Sequence, residues 1–256
     1  MSVRNLRLVI RYDGTDFAGW QRQPGLRTVE ETLETAIREI TREPRVRPNV
    51  SGRTDAGVHA VAQVVNVYST TRLPCDIFVK GINAKLPDDV VVRSCDDVPQ
   101  SFCANKDAVR KTYRYVVCDG GPRDPFLRRY AGHCWHRLDV DAMARAAACL
   151  VGRHDFRCFE TEWPNRMSST RTITRLTVSR FGETVWIDAE ADGFLYNMVR
   201  AIAGTLMQVG RGHWPESRVA EILQSGDRRK AGPTAPPEGL FLLRVAYPNH
   251  LKLPDL

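Results

Sequence analysis

The sequence predicts an α+β fold made of two split β-α-β halves. Segments with apolar residues at every second position alternate with segments at helical spacing, and their order is nearly the same in residues 1–105 and 106–256. A chain of 256 residues, 43% of them hydrophobic, can supply two small cores.

Residues 6–12, LRLVIRY, put Leu6, Leu8, Ile10 and Tyr12 on one face of a strand and Arg7 and Arg11 on the other. Thr28 and Glu31 have the spacing of a capping box, and Val29, Leu33, Ile37 and Ile40 continue as a helix until Pro44. A short strand at Arg45–Val50, a strand at Val61–Tyr68, a helix from Cys75 to about Lys85 and a strand at Val90–Cys95 complete a β-α-β-β-α-β order.

The second half opens with a strand at Val109–Cys118. A helix follows with Asp139 as N-cap, Val140, Met143, Ala147 and Leu150 inside it and Gly152 beyond its end. Strands at Thr170–Phe181 and Thr184–Ala191 flank Gly182, a hairpin signal. Helices from about Leu195 to Val209 and after Pro215 precede a last strand, Leu240–Tyr247. Both halves thus spell the split β-α-β unit of ferredoxin-like, RRM-like domains. Residues 21–27 and 224–238 are rich in chain breakers and are expected to be surface loops, with Arg228, Arg229 and Lys230 solvated.

Charge narrows the function classes. Lys plus Arg number 37 against 30 Asp plus Glu, a net charge of +7, and lysine stands only at 80, 85, 106, 111, 230 and 252. Nearly all the cations are therefore arginine, whose planar fork suits phosphates and base edges, although genomic composition can produce the same bias. No run approaches the roughly 20 apolar residues of a membrane span. Arg4, Arg7 and Arg11 interrupt the N-terminal stretch, so no export signal and a cytoplasmic location are expected. Seven cysteines without a C-x-x-C spacing suggest reduced thiols rather than a disulfide framework or a zinc site.

The stretch Ser51-Gly52-Arg53-Thr54-Asp55-Ala56-Gly57-Val58-His59-Ala60 lies between two expected strands. Glycines at 52 and 57 permit a constrained backbone, and Arg53 and Asp55 set opposite charges two positions apart, so the loop reads as a preorganised carboxylate. Taken alone, Asp55-Ala56-Gly57 reads first as a self-capping turn, a preference that the ten-residue context overturns. No calcium-loop or P-loop pattern is present, and His59, lacking a nearby ligand, reads as structural rather than metal-binding.

In its ten-residue context SGRTDAGVHA resembles the signature loop of the tRNA pseudouridine synthase A family. Further matching stretches are YDGTDFAGWQRQ (12–23), TVEETLE (28–34), INAKLPDDV (82–90), KTYRY (111–115), GRHDF (152–156), TRTI (170–173), FLYNMVRAIAGTL (194–206) and GLFLLRVAYP (239–248). The resemblance implies the pseudouridine synthase fold, in which the halves form an antiparallel or mixed sheet with helices on one face and a central catalytic cleft. It implies that Asp55 is the catalytic nucleophile, that Tyr113 stacks beneath the target base and moves a proton, and that Arg200 pairs with the aspartate. It further implies a homodimer acting on tRNA at positions 38, 39 and 40 of the anticodon stem-loop. Arg53 is the candidate to brace the space left by an extruded nucleotide.

Breaking a C1′–N1 bond and rejoining the same uracil through C5 is an isomerisation, so no metal and no small-molecule cofactor is expected. His154-Asp155-Phe156 is set aside as a turn after a helix. Family members commonly carry F-H-A-R where this chain has Phe102-Cys103-Ala104-Asn105, and a glutamine where it has Glu30; these departures bear on RNA contacts and substrate range. A non-catalytic RRM-like RNA-binding protein is the alternative, although the RRM aromatic signature is missing, and a ferredoxin-like enzyme acting on a small anion is a third reading.

Overall fold

A computed structural model of the chain describes residues 3–161 and 168–248. The fold is α+β, and its strands pair mostly antiparallel. Two compact units are present: residues 1–109 with 242–256, and residues 110–241. The expectation of halves at 1–105 and 106–256 rests on element order; by compactness, the stretch from Leu242 onward groups with the first unit.

In the first unit the elements are β1 (Arg4–Tyr12), α1 (Val29–Thr41), β2 (Asn49–Val50), β3 (His59–Ser69), α2 (Cys75–Asn83) and β4 (Val90–Val98). The strand order β4-β1-β3, with β2 also on β3, is the ferredoxin-like arrangement. Val29, Leu33, Ala36 and Ile37 bury one stripe of α1, while Phe78 and Ile82 do so for α2.

From Asn5 to Ile10 both faces of β1 are covered, the Arg7 position included, while Arg11 is exposed. Arg7 is only 1% exposed and pairs with Asp96 at 2.7 Å, and the segment that follows β4 accounts for the cover. Asn5 Nδ2 donates to the carbonyls of Pro99 and Phe102, Asn66 Nδ2 donates to Asn5 Oδ1, and Asn66 Oδ1 accepts from the Ala104 N–H. These buried amides tie a strap over the sheet, with the ring of Phe102 packed 5.2 Å from that of Tyr247.

The second unit contains β5 (Arg110–Asp119), β6 (Gly132–Cys134), α3 (Val140–Ala147), β7 (Gly152–Asp155), β8 (Thr170–Phe181), β9 (Thr184–Ala191), α4 (Met198–Gly210) and α5 (Ser217–Ser225). Its sheet runs β5-β9-β8-β7, with β6 parallel to β5. Alternate residues of β5 and β9 are buried: Tyr113, Tyr115 and Val117 on one, Val185, Ile187, Ala189 and Ala191 on the other. As expected, Asp139 caps α3, its side chain accepting from the Ala142 N–H. A final strand, β10 (Leu240–Ala246), follows, and in the first unit it lies next to β3.

Three local expectations are corrected. Thr28 stands at the N-cap of α1 but makes no capping bond: it is fully buried, and its hydroxyl turns into the core without a partner. His154 and Asp155 belong to a strand rather than a turn, because residues 152–155 pair with 170–173 of β8. The stretch 224–238 is not a plain surface loop. Thr205 Oγ1 of α4 accepts from the Gly232 N–H, Ala235 is buried, and Arg228 donates to Gly232 O and Thr234 Oγ1 instead of being merely solvated.

Candidate active site

Residues 51–58 connect β2 to β3 and carry Arg53 and Asp55. Their backbone is held at both ends. At the start, Ser51 N–H donates to Val64 O, Ser51 Oγ donates to Gln63 Oε1, and Gln63 Nε2 donates to Gly52 O. The carbonyl of Ser51 accepts from Asn105 Nδ2 at 2.9 Å, so Asn105 is tied to this loop. In the middle, the buried Thr54 hydroxyl lies 2.8 Å from that of Tyr12, and burial pushes the Tyr12 phenol up to about 12, keeping it a neutral partner. A turn bond from Val58 N–H to Asp55 O closes the far end.

The segment after β1 completes the cradle. Trp20, itself 1% exposed, donates its backbone N–H to Thr54 O, and the Gly57 N–H donates to Phe17 O. Two positions here admit only glycine. A Cβ on Gly14 would stand 2.0 Å from Val58 O, and Gly19 takes a φ of +93° with Thr54 O at 2.8 Å from its missing Cβ. The buried His59 imidazole has Nδ1 at 3.0 Å from the Gly14 N–H and 3.1 Å from Asp13 Oδ1, a structural position at the mouth of β3. Within this frame Asp55 is half-buried and Arg53 exposed. A carboxylate on so fixed a backbone suits nucleophilic or proton-transfer chemistry, since a small misplacement of the reacting oxygen is costly in rate.

The other sequence-derived residues stand in the second unit. Tyr113 lies on β5 opposite Ala189, 8% exposed, with its ring edge-on to Phe194 at 5.1 Å. Arg200 lies in the first turn of α4. Its Nε donates to Ala235 O at 2.7 Å, its Nη1 donates to Asn197 Oδ1 at 2.9 Å, and its own carbonyl accepts from the Ala235 N–H. Asn197 begins the helix in the left-handed region, φ 61°, which asparagine tolerates better than most residues. Its amide also donates to Thr161 Oγ1, so one side chain links the helix start to Arg200. Lys111, two residues before Tyr113 on the same face of β5, has its ammonium pulled down to about 8, first by burial and then by the nearby Arg171.

Sequence reasoning missed Tyr12, Trp20, Gln63, Asn105 and Asn197 as supports. The glycines at 14 and 19 were the available signal for the cradle; Asn197 gives none at the level of pattern. Among the described residues, no group of three or more histidine, cysteine or acidic side chains could hold a metal ion.

Comparison with known proteins decides the family. The family model described as tRNA pseudouridine synthase matches residues 8–105 and 146–248. The chain belongs to the tRNA pseudouridine synthase family. Curated relatives in the family are similar over nearly the whole chain. A protein named tRNA pseudouridine synthase A from Thermoanaerobacter sp. (strain X514) is 42% identical over 96% of this chain and 100% of its own length. The protein of that name from Pelobacter propionicus is 44% identical over the same shares, and the one from Enterobacter sp. (strain 638) is 40% identical over 98% of this chain and 93% of its own. The family match takes in the Asp55 loop, the cradle from Tyr12 to Trp20, and Arg200; Tyr113 falls between its two matched stretches and within the span of the full-length relatives.

Proposed function

We propose that this chain isomerises uridine to pseudouridine in tRNA, with Asp55 as the nucleophile. The observation that carries the reading is the Asp55 loop, a half-buried carboxylate on a backbone pinned by Tyr12, Trp20, Gln63 and Asn105 in a chain of this family. In the reaction the C1′–N1 bond of uridine breaks and C1′ bonds to C5 of the same ring; the proton leaves C5 and N1 regains one. The carboxylate can add to C1′, add to C6 of the ring, or take a proton from C2′, and each route needs the same anionic oxygen within reach.

Arg200 is the cation that keeps Asp55 ionised, and Tyr113 supplies a stacking face for the uracil and a hydroxyl for proton transfer. A paired uridine hides its glycosidic bond, so the nucleotide is extruded and Arg53, exposed beside Asp55, fills the vacated space. The substrate region is the anticodon stem-loop at positions 38, 39 and 40, read by a cytoplasmic homodimer. Among the described residues no helix is long and apolar enough to cross a membrane.

The test is pseudouridine formation in tRNA by wild type and Asp55→Asn, with a digest of the reacted tRNA to map the altered uridines. Product at 38, 39 or 40 from wild type and none from the variant is expected. Undiminished turnover by Asp55→Asn removes the nucleophile role, and RNA binding without product from wild type favours the non-catalytic RRM-like reading.

A further inference from the structure

Cys75 is the first residue of α2, and Cys95 lies on β4, the strand packed against that helix. Both are free and partly exposed, and their sulfurs are 3.3 Å apart. The two carry different surroundings. Cys75 Sγ lies 3.6 Å from Arg4 Nη2 and 3.7 Å from Asp97 Oδ2, while Arg4 itself holds Asp97 through two bonds of 2.8 and 2.7 Å. Cys75 Sγ accepts from the Arg4 guanidinium and from the Cys95 S–H, and its own S–H donates to Asp97 Oδ2. Burial, then the adjoining Cys75 sulfur, drives the Cys95 thiol far above its ordinary range, so Cys95 is the proton-bearing partner.

We propose that Cys75 and Cys95 form a modification site, a dithiol that a hydroperoxide converts to an intramolecular disulfide. The Cys75 thiolate attacks one peroxide oxygen, the O–O bond breaks, and the second oxygen leaves as water once protonated, giving a sulfenic acid. The Cys95 sulfur then displaces that hydroxyl, forming the S–S bond, and its proton leaves with the hydroxyl as a second water. Two thiols and one hydrogen peroxide thus become one disulfide and two waters. The sulfurs together give up two electrons and the peroxide takes them. To bond, the two sulfurs close from 3.3 Å to the roughly 2.05 Å of an S–S bond.

The experiment is titration of the full-length protein with hydrogen peroxide, alkylation of the remaining thiols, and mass spectrometry of the tryptic digest. Lys80, Lys85 and Arg93 separate the two cysteines, so a bridge appears as two peptides joined through 75 and 95. Expected are that linked pair, loss of two of the seven thiols, recovery with dithiothreitol, and a melting temperature raised by about 5 °C in the oxidised form. In Cys95→Ser the Cys75 sulfenic acid should be trapped by dimedone, and in Cys75→Ser the Cys95 thiol should stay reduced at the same dose. The proposal is overturned if wild type yields no linked pair while Cys75 runs on to sulfinic acid, or if Cys95 oxidises as fast without Cys75.

Discussion

Tyr113 brings two properties to one position: a ring that can stack and a hydroxyl that can carry a proton. Tyr113→Phe keeps the first and removes the second. The expected outcome is tRNA affinity within a factor of about 2 of wild type and a turnover reduced on the order of 100-fold, read by single-turnover kinetics alongside a binding titration. Lys111 gives a pH signature. Its folded-state value of about 8 lies below the roughly 10.4 of an unfolded lysine, so between those limits the unfolded chain holds a proton that the native one has lost. Stability therefore rises with pH across that window, by on the order of 3 kcal/mol in total, and urea titrations at pH 7.5 and 10 should register it; Lys111→Met should flatten the profile. Single residues were unevenly legible in the sequence. Asp55 and Arg53 announce themselves by glycines and opposed charges in one loop. Arg200, set among Met198, Ile202 and Leu206, looks like any helix arginine until the resemblance singles it out. Thr28 misleads because a capping box is a spacing rule, and the structure sends that hydroxyl inward instead.

Elements fix the site through the close approach of the chain after β1 to the loop before β3. Gly14→Ala would drive a methyl group into the Val58 carbonyl, a backbone atom that cannot swing aside. We expect a loss of about 3 kcal/mol in denaturant unfolding, together with a fall in turnover larger than any change in tRNA affinity, because what shifts is the loop bearing Asp55. Periodicity located the long strands and helices well, since each presents one apolar stripe or face to a core. It failed on the three-residue β6 and the four-residue β7, which are too short for a period to emerge, and it read residues 224–238 as solvated. Most of that stretch is at the surface, as expected, but Gly232 and Ala235 are buried where their N–H groups bond to Thr205 and Arg200 of α4, a form of burial that side-chain hydropathy does not encode.

At the scale of the whole molecule, a net charge of +7 carried largely by arginine fits a polyanionic partner. If about six phosphates are contacted, tRNA affinity should fall by about 10³ between 50 and 200 mM salt, whereas a chain that acts on a small anion would show no such dependence on competing tRNA. Filter binding across a salt series measures the slope. The α+β class and the ferredoxin-like order were legible because element order alone specifies them. That β3 is a neighbour of the last strand was not legible, since hydrophobic alternation in Leu240–Ala246 marks a strand without naming what lies beside it.

That placement bears on how the protein is made. A ribosome that has released residues 1–241 has delivered all of the second unit but leaves the first without most of β10, and β3, paired by then with β1 and the two-residue β2, lacks the longer neighbour that comes to lie beside it. The part synthesised first is thus the part completed last, and a nascent chain arrested before Leu242 exposes a sticky edge for as long as translation pauses.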